Sequence, residues 1–135
     1  MGEIEKTCKG VLDRVPGSIT CGIIDLGKKK VVEVHHPFQF PPEQRDVTTS
    51  AMVRLFCGEH TVKLAETVRN QLEIPKNDKA DLQEIQIFFD QAFYLGKKIK
   101  NGGAAVLLVT KKDDNIGLAW EELKAMIPIV ETLIP

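Results

Sequence analysis

The sequence has little excess charge of either sign. Eighteen lysines and arginines stand against nineteen acidic residues, a formal net charge of −1 over 135 residues. Such a balance gives no global field to hold nucleic acid or an anionic membrane surface. No apolar run approaches the roughly 20 residues needed to cross a bilayer. Three cysteines, Cys8, Cys21 and Cys57, are an odd number without framework spacing. With no signal-type h-region at the start, they predict a reducing, cytoplasmic setting. Neither GxxxxGK[ST] nor GxGxxG occurs, so no phosphate-cradling loop is evident. The one glycine pair beside a β-like run, Gly102-Gly103, precedes that run rather than following it, and the aspartates Asp113 and Asp114 occupy the strand-to-helix turn, where they repel phosphate.

What is present fits one domain, 1–135, large enough to bury a core without staples. Ile4, Cys8, Val11, Leu12 and Val15 recur at helical spacing, and Pro16-Gly17 ends that element. Two β-branched runs flank Leu26 to Lys30 and read as a hairpin. The stretch 35–46 holds three prolines and reads as a connecting loop. A long helix is expected from Val47 or Thr49 to Leu72, closed by "EIPKNDKAD".

Strands dominate the rest. In "EIQIFFD", Ile85, Ile87 and Phe89 alternate with Glu84, Gln86 and Phe88. "QAFYLGKKIK" and "AAVLLVTK" are joined by Asn101-Gly102-Gly103, residues that tolerate positive φ in a tight turn. A last helix places Ile116, Ala119, Leu123, Ile127 and Val130 on one face, with Asp114 or Asn115 as its cap and Pro128 disturbing its final turns. The class is α+β: a five-stranded antiparallel sheet flanked by helices, in the order α-β-β-α-β-β-β-α.

Chemistry-bearing residues are sparse. Cys57 and His60, at i and i+3 of one expected helix, with His35-His36 as candidates to lie nearby, are the best metal set, yet they lack the paired spacing of tetrahedral sites. As a nucleophile and base, Cys57 and His60 lack the helix N-terminus that activates a thiol and a third orienting group. Glu121 and Glu122, like Asp113 and Asp114, lie near a helix start, where acidic residues favour the dipole. No catalytic residue, metal or cofactor is therefore assigned. Lys28, Lys29, Lys30 and Lys97, Lys98, Lys100 form two tracts that an antiparallel sheet brings to the same end if the first hairpin neighbours the last strand, as a local surface for an acidic partner or a membrane, or as solvated hairpin tips.

The long helix carries more apolar circumference than one sheet can cover. One stripe is Ala51, Leu55, Gly58, Val62 and Ala65; a second is Val53, Cys57, Leu64 and Val68. Covering a sheet takes a stripe of about 100°. The second stripe, extended by Phe88, is expected to meet a copy of itself across a twofold axis.

"VLDRVPGSITCGIIDLGKKKV" and "GGAAVLLVTKKDDNIGLAWEELK", together with the element order, resemble the roadblock domain, the dynein light-chain family also present in bacterial gliding proteins and lysosomal scaffold complexes. The resemblance runs from about Ile4 to Ile134. It implies homo- or heterodimers joined through the central helix and an edge strand into a continuous sheet. Members bind small Ras-like GTPases, some as GTPase-activating partners, or serve as assembly platforms. Carried onto this chain, the dimer positions are Val53, Cys57, Leu64, Val68 and the strand Glu84 to Phe89, including Gln86 and Phe88. No arginine finger is carried over. Two alternatives stand beside this non-catalytic reading. One is a small-ligand sensing domain with a pocket beneath the proline-rich loop; the other is a Cys/His metal-dependent enzyme.

Overall fold

The structure, a computed structural model, describes residues 2–36, 41–78, 80–112 and 115–134. Pro37 to Phe40 of the proline-rich stretch, and the pair Asp113-Asp114, lie outside the described residues.

The elements are α1 (Glu3–Arg14), β1 (Ser18–Asp25), β2 (Lys30–His35), α2 (Pro42–Cys57), α3 (Glu59–Gln71), β3 (Glu84–Phe88), β4 (Ala92–Ile99), β5 (Ala104–Lys111) and α4 (Ile116–Leu133). The strands form one sheet in the order β2-β1-β5-β4-β3, and every neighbouring pair is antiparallel. This is the expected α+β architecture, with one helix more than the expected order.

Each face of the sheet is covered separately. Cys21 and Ile23 of β1, Val106 and Leu108 of β5 and Leu95 of β4 point to one side, where α1 supplies Cys8 and Val11 and α4 supplies Ala119, Leu123, Met126 and Val130. Ile116 and Ile127 pack at the margin of that core. Met126, which the expected face did not include, is 1% exposed. Cys8 and Cys21 are core thiols, as their spacing predicts, and a hydrogen bond with Cys8, followed by burial, pushes the Cys21 thiol well up.

On the other side, Ile24, Ala105, Leu107 and Val109 meet Met52, Val53 and Phe56 of α2. Gly96 makes the approach of Phe56 possible: a Cβ there would stand 3.2 Å from the ring. Burying a phenylalanine of this kind contributes about 1.5–3 kcal/mol.

Two expectations are corrected by the helices. The proline-rich loop does not extend to Asp46, because α2 begins at Pro42. A proline in the first turn gives up no helical hydrogen bond, and the N–H groups of Gln44 and Arg45 already donate to the Pro41 carbonyl. The long helix is also not continuous. It breaks at Gly58, whose ψ of 164° is extended, into α2 and α3.

The turn between β4 and β5 uses positive φ at Asn101 and Gly102, and also at Lys100. Asn115 sits at the N-cap of α4, and α4 continues through Pro128 to Leu133.

Candidate interaction surface

The break at Gly58 decides what α3 can do. Helix α2 buries Thr49, Met52, Val53 and Phe56 against the sheet, whereas α3 buries none of its residues. Val62, Leu64, Val68 and, just past its end, Leu72 are exposed, Leu64 at 64%. Val62 and Ala65 line a shallow groove with Phe56, Lys98 and with Asp81 and Leu82 of the segment that leads into β3.

The structure divides the expected dimer stripe. Cys57, Leu64 and Val68 are solvent-exposed, but Val53 is only 7% exposed and belongs to the protomer's own core. The reason is geometric. Within α2, Val53 shares the sheet-facing side with Met52 and Phe56, while Cys57 is the last residue of the helix, and beyond the break at Gly58 Leu64 and Val68 belong to a separate helix. The outward apolar face therefore starts at Leu55, which is exposed, and not at Val53.

Among the described residues, strand β3 ends the sheet, paired with β4 alone. Ile85 and Ile87 turn toward the α2 side and pack against that core. Glu84, Gln86 and Phe88 turn to the α4 side. There the Glu84 carboxylate meets Lys97 at 3.1 Å and Lys124 at 3.5 Å. The Trp120 indole N–H donates to the Gln86 side-chain oxygen. The hydrogen bond from Lys97 holds the Glu84 carboxyl below the usual carboxylate range; burial opposes it, and the charges of Lys97 and then Lys124 add smaller downward effects. The sequence reading missed Trp120 and Lys124 as supports of this edge. The alternation that puts Glu84 and Gln86 on one face was the available signal; what they would face was not.

Phe88 is 60% exposed and meets the Phe93 ring edge-on at 4.7 Å between centroids. Phe89, expected to point inward with Ile85 and Ile87, lies beyond the strand and is exposed, its ring edge-on to Tyr94. Aromatic side chains thus emerge on both sides of the β3–β4 hairpin.

The lysine tracts do fall at one end of the sheet, since Asp25 and Ile99 both pair with Ala104. Lys28, Lys29 and Lys30 are exposed. Lys97 and Lys98, though, leave by opposite faces. Lys97 is bound to Glu84, and Lys98 extends over the Phe56 ring at 6.0 Å. Lys100 donates through its backbone N–H to the Glu131 carboxylate at 3.0 Å. The second tract is consumed by local contacts, leaving the β1–β2 turn as the open cationic feature.

Cys57 and His60 stand on different helices, one on each side of the break. His35 approaches Glu5 at 3.8 Å, while His36 meets the Thr20 hydroxyl at 3.1 Å. Among the described residues, no three His, Cys, Asp or Glu side chains are grouped to hold a metal. No helix among them is long and apolar enough to cross a membrane.

The same arrangement, a five-stranded antiparallel sheet with a helix pair on one face and a central helix on the other, is found in solved structures. A roadblock/LC7 domain from Streptomyces avermitilis matches at a TM-score of 0.64 and 14% identity, covering 96% of this chain and 99% of that one. The gliding protein MglB from Thermus thermophilus matches at 0.67 and 15% identity, over 98% of this chain and 94% of its own. An MglB in a tetrameric arrangement matches at 0.71 and 16% identity, over 99% and 95%. The chain has the roadblock fold. No protein-family model and no curated protein matches the sequence.

Proposed function

We propose that residues 1–135 act as one non-catalytic, dimerising module that regulates or scaffolds a small Ras-like GTPase in the cytoplasm. The observation that carries this reading is α3: a 13-residue helix that buries nothing and exposes Val62, Leu64 and Val68, with Leu72 exposed just past its end, in a protomer whose sheet ends, among the described residues, at β3. Exposed apolar residues gathered on one element, rather than scattered singly, mark a surface that is covered in use.

In this reading Leu55, Cys57, Leu64 and Val68 meet their copies across a twofold axis, and β3 with Phe88 extends the contact. The assembled form of a similarly folded MglB supports association. The joined sheets then present a composite face, with Lys28, Lys29 and Lys30 at its cationic end. The GTPase assignment follows from the roadblock resemblance, which the match to gliding proteins strengthens.

The test is retention of a partner by the immobilised full chain from lysate of its source cells, with GDP or a non-hydrolysable GTP analogue added. A Ras-like GTPase retained in a nucleotide-dependent manner, and lost with Leu64→Asp/Val68→Asp, supports the reading. No GTPase retained with either nucleotide contradicts it.

A further inference from the structure

A second feature lies at the other end of α2. Its facing residues change character along its length. Met52, Val53 and Phe56 fill the space above the sheet, but one and two turns earlier the helix presents Arg45, Thr48 and Thr49. Small polar side chains cannot fill the gap left by large apolar ones. A cavity of about 200 Å³ results, between α2 and the β2–β1–β5–β4 surface.

Its walls and its mouth differ chemically. Ile24, Val34, Tyr94, Leu107 and Val109 make the walls apolar. Arg45 and His36 line the same space with the hydroxyl-bearing Thr20, Thr48 and Thr49. No described carboxylate forms an ion pair with Arg45. The first turn of α2, Pro42 to Arg45, adds the positive end of a 16-residue helix. Glu33, the acidic member of the lining, turns its carboxylate back onto the Val34 N–H at 3.2 Å.

We infer that this cavity is a binding site for a small anionic amphiphile, a monocarboxylate with an apolar tail. The tail lies against the walls, and the carboxylate meets the Arg45 guanidinium, a fork whose geometry matches it. Volume sets the size. A dry cavity of about 150 Å³ takes benzene, so about 200 Å³ holds roughly eight carbon atoms. This site lies apart from α3 and the β3 edge, and the inference stands whether or not the chain dimerises.

Octanoate, 1-octanol and octylamine, titrated calorimetrically into the full chain, test it. Octanoate is expected to bind best, about tenfold tighter than the neutral alcohol, with octylamine weakest. Arg45→Ala, on an exposed helical turn, should fold normally and lose about tenfold in octanoate affinity while binding 1-octanol as before. Thr48→Phe, which fills the cavity from the helix side, should abolish both. Absence of octanoate binding, equal binding of octylamine, or octanoate affinity unaltered in either variant overturns the site.

Discussion

The backbone N–H of Gly58 donates to the Arg54 carbonyl at 2.8 Å, and at that bond a continuous apolar pattern becomes two helices. The close fit leaves no room for a side chain. A Cβ on Gly58 would collide with the same carbonyl oxygen. Gly58→Ala must therefore shift the break, and overpacking of this kind costs about 1–3 kcal/mol. Thermal denaturation should show a melting temperature lowered by several degrees. An unchanged melt would mean that the backbone here does not require glycine.

How much of this was legible follows from where the signals are local. The sheet was readable because β-branched runs, period-two alternation and Asn101-Gly102-Gly103 act within a few residues. Helix α1 and the inner face of α4 were readable by the same logic. The break was not. Gly58 lies inside a pattern that remains helical on both sides, and an isolated glycine does not by itself end a helix. The misplacement of Val53 has a second cause: which side of α2 meets the sheet depends on packing that the apolar pattern alone does not record. At the candidate surface, the exposed members Cys57, Leu64, Val68 and Phe88 could be named from the sequence. The bonding of Glu84 and Gln86 to Lys124 and Trp120 depends on how α4 crosses the sheet, which no local pattern records.

The tether of β3 to α4 predicts a modest, salt-sensitive effect. Glu84 contacts two lysines, but its side chain is 40% exposed, so replacing it with glutamine should cost only roughly 0.2–1 kcal/mol. The loss should shrink in high salt, where the wild-type attraction is screened. Because the Glu84 carboxyl titrates below its usual range, its contribution is present above the unfolded value and disappears as pH falls through the folded one. Urea denaturation of both proteins at low and high salt checks this; a loss that grows with salt would refute the ion-pair account.

His36 predicts a second pH dependence. Burial first, then repulsion by Arg45 and His35, lowers its proton affinity in the folded chain. Unfolded, the imidazole takes its proton near pH 6.5. Between that value and the lower folded one the unfolded state binds more protons, so native stability falls as pH drops below about 6.5. His36→Gln should flatten the fall in melting temperature between pH 7 and pH 5.5. Parallel profiles for the two proteins would assign the effect elsewhere.

The central claim is that α3 is uncovered in the protomer because a second copy covers it. Sedimentation velocity of the full chain, compared with Leu64→Asp/Val68→Asp, addresses it most directly. Both substitutions fall on exposed positions, so the fold should survive, as far-ultraviolet circular dichroism can confirm. The account predicts a wild-type dimer near 30 kDa, twice the 15.1 kDa chain, and a monomeric double variant. A wild-type monomer at micromolar concentration, or a dimer that persists in the folded double variant, would contradict it.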